Sequence, residues 1–319
     1  MFLRLSVALV LALGVWRLAA AELPRGFALR SNDVVAFVGG SDVAAAQFSG
    51  HLESLLVVQF PGARFRNFGW EGDTVFAQPR DFAFPPLREH LKRAGASVIF
   101  VQFGRAEVLN GRETVPAFFA AMDKLVAECA KQTPRIILVA PPPFESGSEL
   151  LPDLSPRNAQ LAAHVNTLRT LAKQRSLPIV DLFAEFGGVT HKEPRLTDNG
   201  FGITARGHGL MATGFARQLG FVELAARAGA VSEDGVWSNP QCEKIRQIVI
   251  EKNKLWFNYW RPQNWAFLGG DRTTQPSSRD HRDMKVRWFP AEMEKFVPLI
   301  AEKEREMEQV AVVVRRGAR

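Results

Sequence analysis

Apolar residues come in short unbroken runs that alternate with helical spacing. Val34-Val35-Ala36-Phe37-Val38 stops at Gly39-Gly40, and Ser97-Val98-Ile99-Phe100-Val101 repeats the pattern. Arg135 to Ala140 is stopped by Pro141-Pro142-Pro143, while Arg64 to Phe68 and Pro178 to Leu182 are shorter candidates. Runs of this length without polar alternation suit strands buried on both faces. Between them, helical spacing predicts helices over residues 43–60 (Leu52, Leu55, Leu56 and Phe60 inward), 114–130, 156–175 and 205–228. Ser155 is placed to cap the third, with Pro156 at its first position. Five strands separated by helices predict an α/β protein with a parallel sheet. Ligands of such sheets bind outside the carboxyl ends of the strands. That rule selects the loops 39–43, 69–75, 103–108 and 141–148, and the segment 195–209.

The pattern changes beyond residue 233. Residues 239–260 form an amphipathic helical stretch carrying Trp256, Phe257, Tyr259 and Trp260. Residues 262–288 are polar and irregular, and residues 290–316 are helical and heavily charged. The expected organisation is an α/β domain over 28–230 and a helical extension over 234–319. The aromatic stripe reads as core or as a protein contact through 239–260.

Residues 1–21 read as a signal peptide: Arg4, an apolar run from Leu5 to Val15, and Ala19-Ala20-Ala21 before Glu22. An uncleaved anchor is the other reading. Export to the periplasm or the cell exterior is the expectation, with no integral membrane span after cleavage. Removing Arg4 and Arg17 lowers the formal charge of +7 to +5 (7 − 2). Much of the rest is local, in a basic loop (Arg279, Arg282, Lys285, Arg287) and a basic tail (Arg315, Arg316, Arg319). No nucleic-acid motif accompanies them, and no nucleic-acid partner is expected. The two cysteines, Cys129 and Cys242, make no disulfide framework. Cys129 lies on an apolar helical pattern, as a buried thiol would. Without CxxC or HExxH, and with histidines dispersed, neither a metal nor a cofactor is expected.

The strand-end loops carry the chemistry. The first reads Gly39-Gly40-Ser41-Asp42, which places a serine between a buried strand and a helix start. The second reads Asn67-Phe68-Gly69-Trp70-Glu71-Gly72-Asp73-Thr74, the third Phe103-Gly104-Arg105-Ala106-Glu107, and the last Leu196-Thr197-Asp198-Asn199-Gly200-Phe201-Gly202. In this order, over about residues 33–220, the blocks resemble the SGNH, or GDSL-type, esterase and lipase superfamily, closest to exported bacterial members with a C-terminal helical extension. The resemblance implies a flavodoxin-like three-layer sandwich and hydrolysis of acyl esters, often acetyl groups on sugars. It implies a nucleophile at Ser41, with Gly40 in place of the motif's aspartate, and an oxyanion donor at the Gly72 N–H. The second oxyanion donor, an asparagine, falls at Ala106, the orienting aspartate at Asn199, and the histidine base at Gly202.

Those departures remove chemistry. A serine hydroxyl needs a base to take its proton, and glycine has none. Losing one oxyanion donor costs about 3 kcal/mol in the transition state. His208 is the candidate replacement base, His191 a weaker one, and Asp198 could orient either. Ser41 also fits a simple turn-and-cap role. Asp42 reads as a cap of the following helix, Asp73 and Thr74 as braces of the second loop, and Arg105 with Glu107 as a charged pair lining the pocket. Two functions follow. One is a non-catalytic or strongly altered SGNH-fold protein that binds a carbohydrate or cell-envelope ligand in the old cleft. The other is a serine esterase or carbohydrate deacetylase that uses Ser41 with His208 on an acyl-ester substrate.

Overall fold

A computed structural model of the chain describes residues 28–111, 114–147, 149–190 and 194–316; the expected leader at 1–21 and His191 lie outside them. Each apolar run forms a strand: β1 (Val34–Gly39), β2 (Arg64–Asn67), β3 (Val98–Gln102), β4 (Ile136–Ala140) and β5 (Ile179–Asp181). All pair in parallel, in the order β2-β1-β3-β4-β5. This is the flavodoxin-like strand order, with its switch point between β1 and β3. The strands alternate between two cores. Val35, Val98, Phe100, Ile137 and Val139 face one, while Ala36, Val38, Ile99, Val101, Ile136 and Leu138 face the other. Neither face can be solvated, so helices cover both.

The helices are α1 (Ser41–Ser49), α2 (His51–Gln59), α3 (Leu87–Ala94), α4 (Arg105–Asn110), α5 (Val115–Ala130), α6 (Asn158–Arg175), α7 (Leu182–Glu185), α8 (Ala205–Gln218), α9 (Val222–Ala228), α10 (Pro240–Trp260), α11 (Trp265–Leu268), α12 (Trp288–Glu294) and α13 (Phe296–Arg316). Two expected helices are each split. The one over 43–60 breaks at Gly50 (φ 68°), where a Cβ would stand 3.1 Å from the Arg246 carbonyl oxygen of α10. The break thus lets α10 approach. The one over 205–228 breaks at Gly220 (φ 86°). Ser155 and Pro156 form a 3-10 turn before α6, and the serine side chain caps nothing. Helices α3 and α4 are too short to stand out in the sequence.

The extension is built into the α/β core. Trp256 and Trp260 of α10 are buried, and Phe68 meets both rings edge-on at 5.5 and 5.2 Å. The aromatic stripe is therefore internal core, not a free partner face. Its polar side is equally committed. The fully buried Lys252 ammonium lies 2.6 Å from Glu53 of α2 and donates to the Phe65 carbonyl of β2 at 3.1 Å. Asn253 donates to the Gln47 carbonyl at 2.9 Å and to Glu53 at 3.0 Å. The indole N–H of Trp256 donates to the Asn67 carbonyl at 2.9 Å. Cys129 and Cys242 are buried free thiols in the two opposite cores. Among the described residues no helix is long and apolar enough to cross a membrane.

Two outcomes follow from this packing. Lys252→Met leaves Glu53 buried without its cation and lowers unfolding free energy by about 3–5 kcal/mol; adding Glu53→Leu recovers much of it. Urea titrations of both variants read this, and additive losses would show that the pair is not coupled. The second concerns acid. Burial pushes the His51, His90 and His208 imidazoles down to about 4 from an ordinary 6.5. The unfolded chain then binds protons that the folded chain refuses, so stability is lost as pH falls from about 6.5 toward 4. Each pKa unit is worth about 1.4 kcal/mol. The melting temperature falls between pH 7.5 and 5; a flat profile would show that the imidazoles charge in place.

Candidate catalytic cleft at the carboxyl edge of the sheet

The chain leaves β1 at Gly39 and starts α1 at Ser41 with one residue between them. No side chain fits along this passage. A Cβ on Gly39 would lie 2.4 Å from the Gln102 carbonyl oxygen, one on Gly40 would lie 2.5 Å from that of Asp73, and one on Gly69 would lie 2.4 Å from the Ala44 nitrogen. The strand-end loops are thus drawn together at backbone distance, and the aspartate of the family motif has no space at position 40. Ser41 stands half-buried in the first turn of α1, where backbone N–H groups have no intrahelical acceptor. Its hydroxyl accepts from the Gly72 N–H at 3.2 Å. Gly72 sits at φ 78° in a turn closed by Asp73 N–H to Trp70 carbonyl, 3.1 Å. Arg80 grips both Asp73 carboxylate oxygens at 2.7 and 2.6 Å, and the Thr74 hydroxyl accepts from the Ala77 N–H at 3.0 Å.

The third loop departs from expectation. Arg105 and Glu107 do not pair, because residues two apart on a helix point in different directions. Arg105 is 2% exposed and bridges two loops instead. It donates to Asp42 at 2.8 Å and to the Phe201 carbonyl at 2.7 Å. Its guanidinium lies over the Phe144 and Phe201 rings at 5.1 and 4.6 Å. Asp42 consequently caps nothing; it serves as the counter-ion of Arg105. Glu107 accepts from the Val75 and Gly104 N–H groups, both at 2.7 Å, tying the second loop to the third. Burial pushes its carboxyl above the usual range. Ala106 lines the cleft without a polar atom to offer.

The last loop is pinned by Glu145, a residue that sequence reasoning missed although it lies in the flagged 141–148 loop. Its carboxylate accepts from the Leu196 N–H at 2.7 Å and from the Thr197 N–H and hydroxyl at 2.9 and 2.7 Å. Asn199 spends its side-chain oxygen on the Phe201 and Gly202 N–H groups at 3.0 and 2.6 Å. Gly202 is exposed and Asp198 projects into solvent. His208 is buried in the first turn of α8, where Thr204 caps the helix. It lines a pocket of about 60 Å³ under α1, together with Asp42, Val43, Gln47, Met211 and Phe215. Ser41 opens instead on a cleft enclosing about 20 Å³, lined by Gly40, Asp73, Ala106, Glu107 and Phe201. Asp42 and Gln102 line both spaces. Among the described residues no imidazole is hydrogen-bonded to Ser41.

The cleft therefore assembles a hydroxyl, the Gly72 N–H and the start of a helix. The two terminal nitrogens of Arg105 are engaged by Asp42 and the last loop, while its Nε is buried without a partner. Among the described residues no group of three or more His, Cys, Asp or Glu is placed to hold a metal ion.

The model of the GDSL-like lipase/acylhydrolase family matches residues 31–210, from just before β1 into α8. Among solved structures, a gut microbial diltiazem-metabolizing enzyme is 12% identical with a TM-score of 0.56, over 90% of this chain and 95% of that one. That span takes in much of the helical extension. An acetyl xylan esterase from Geobacillus stearothermophilus is 18% identical with a TM-score of 0.47, over 60% of this chain and 97% of that one. An alpha/beta hydrolase enzyme from the metagenome of Lake Arreo, Spain, is 17% identical with a TM-score of 0.48, over 61% and 98%. No curated protein matches the chain in sequence. The match over residues 31–210, with the flavodoxin-like sheet and strand-end loops it covers, places the chain in the GDSL-like lipase/acylhydrolase family.

Proposed function

We propose that this chain is a non-hydrolytic member of its family, exported through the leader at residues 1–21, which binds a carbohydrate or cell-envelope ligand at the strand-end loops. The observation that carries the reading is the position of Arg105. Its guanidinium joins Asp42, the neighbour of Ser41, to the Phe201 carbonyl, the neighbour of Gly202. A charged, buried clamp thus spans the two loops that a serine and its base would occupy in a hydrolase. The absent base, orienting acid and second oxyanion donor at Gly202, Asn199 and Ala106 point the same way. Ester hydrolysis through Ser41 and His208 would require an imidazole that lines the pocket under α1 to act on a hydroxyl that lines a different one. Its low proton affinity, pushed down to about 4 by burial, also makes it a poor base.

The direct test is hydrolysis of 4-nitrophenyl acetate by the wild type and Ser41→Ala. The expected result is an equal, background rate in both. A wild-type rate abolished in the variant would restore the esterase reading. Ligand binding is read by calorimetry with acetylated xylo-oligosaccharides and soluble peptidoglycan fragments; heat with none of these would remove the carbohydrate assignment.

Rebuilding supplies the converse. Gly202 has ordinary backbone angles, and the nearest atoms to an added Cβ are those of the Asn199 side chain at 3.4 Å. The triple variant Gly202→His, Asn199→Asp, Ala106→Asn should gain Ser41-dependent hydrolysis at least about a hundredfold over wild type. No gain in a folded triple variant would mean that the framework at Ser41 and Gly72 is not that of a hydrolase.

A further inference from the structure

The end of α10 is seated on the second strand-end loop. Trp256 donates its indole N–H to the Asn67 carbonyl, and Trp260 meets Phe68 and Trp70 edge-on at 5.2 and 5.7 Å. Arg261, the residue that closes the helix, carries the contact one step further. Its backbone N–H is spent on the Phe257 carbonyl at 3.0 Å, so its side chain leaves from a fixed point. A guanidinium is well placed there, because the last carbonyls of a helix concentrate negative charge. It lies 3.6 Å from the centroid of the Trp70 ring and donates to the Glu71 carboxylate at 2.5 Å, across 190 residues of chain.

A second guanidinium holds the same turn. Arg80 lies 4.1 Å from the Trp70 centroid and grips both oxygens of Asp73. Trp70, Glu71 and Asp73 are thus held by two arginines, and Gly72 lies between them. Gly72 has little support of its own. It is exposed at φ 78°, a conformation that glycine enters freely, and beyond its chain neighbours no described atom lies within 4 Å of where a Cβ would stand. The direction of its N–H is therefore set from the two sides. That direction matters, because this N–H is the donor that meets the Ser41 hydroxyl at 3.2 Å.

Of the two contacts of Arg261, the ring outweighs the ion pair. The Glu71 side chain is 52% exposed, and ion pairs at such positions contribute little. Arg261 is 24% exposed, and a planar guanidinium over an indole meets less competition from water. We propose that Arg261 is a positioning residue for the Ser41 cleft: from the start of the loop that follows α10 it holds Trp70, and less firmly Glu71, and through them aims the Gly72 N–H at the Ser41 hydroxyl. This goes beyond the reading of the cleft as non-hydrolytic, since it concerns the aim of a donor in the free chain. It gives the helical extension a part in the geometry of the cleft.

The experiment is amide hydrogen exchange, read by NMR on the isotope-labelled full chain. Gly220 is the internal control: it is exposed at φ 86° and its N–H is spent on the Arg217 carbonyl at 2.9 Å. Arg261→Ala should speed exchange at Gly72 by at least about fivefold and leave Gly220 unchanged. Ser41→Ala, which removes the acceptor, should speed Gly72 to a similar extent. The double variant should be no faster than the faster single one, because both changes act on one hydrogen bond. Glu71→Gln leaves the ring contact in place and should speed Gly72 less than Arg261→Ala does. An unchanged Gly72 rate in either alanine variant, equal acceleration at Gly220, rates that multiply in the double variant, or a Glu71→Gln rate equal to that of Arg261→Ala would each overturn the proposal. None of these readouts needs a ligand or turnover, so the proposal stands or falls separately from the reading of the cleft.

Discussion

β1 pairs in parallel with β3 from Val35 beside Val98 to Gly39 beside Gln102, so the two strands leave the sheet side by side. Everything at the carboxyl edge hangs on that register. It sets Gly39 against the Gln102 carbonyl at a distance only a glycine accepts, and brings α1 and α4 out of neighbouring strands. Asp42 and Arg105 then meet although 63 residues separate them. The second loop is held over the same point by Glu107 and by the close approach of Asp73 to Gly40. A one-residue slip would turn every inward side chain of β1 to the opposite core.

The altered residues are mutually consistent. Gly40 permits the second loop to close on the serine loop. Arg105, next to the alanine that stands where an oxyanion donor would be, is folded inward and stacked on Phe144 and Phe201. Asn199 lacks the charge of an acid and uses its oxygen to turn the chain at Gly202. The cleft is a polar junction in which the charged side chains of one strand-end loop are held by groups of another.

The strands were legible because their burial on both faces leaves unbroken apolar runs. The order of strand-end blocks also located the cleft and Ser41. What could not be read was where helices end inside a helical pattern. Gly50 and Gly220 break continuous stretches, and in the first case the cause is α10, almost two hundred residues downstream. The charges of the third loop were misread because Arg105 and Glu107 are close in sequence; helix geometry separates them, and their partners come from other loops. Glu145 left no local signal, since its role is to accept N–H groups from a loop about 50 residues away.

The buried Lys252 has a consequence for how much of the chain is needed to complete the molecule. Its ammonium closes on the Phe65 carbonyl across 187 residues of chain. Without α10, Glu53, the edge of β2 and the Asn67 carbonyl lack their partners, although every strand and every strand-end loop lies outside the extension. The segment matched by the family therefore leaves the edge of β2 uncovered by itself, and its polar groups are all partnered only with the extension in place. The boundary drawn by family resemblance is narrower than the boundary drawn by folding.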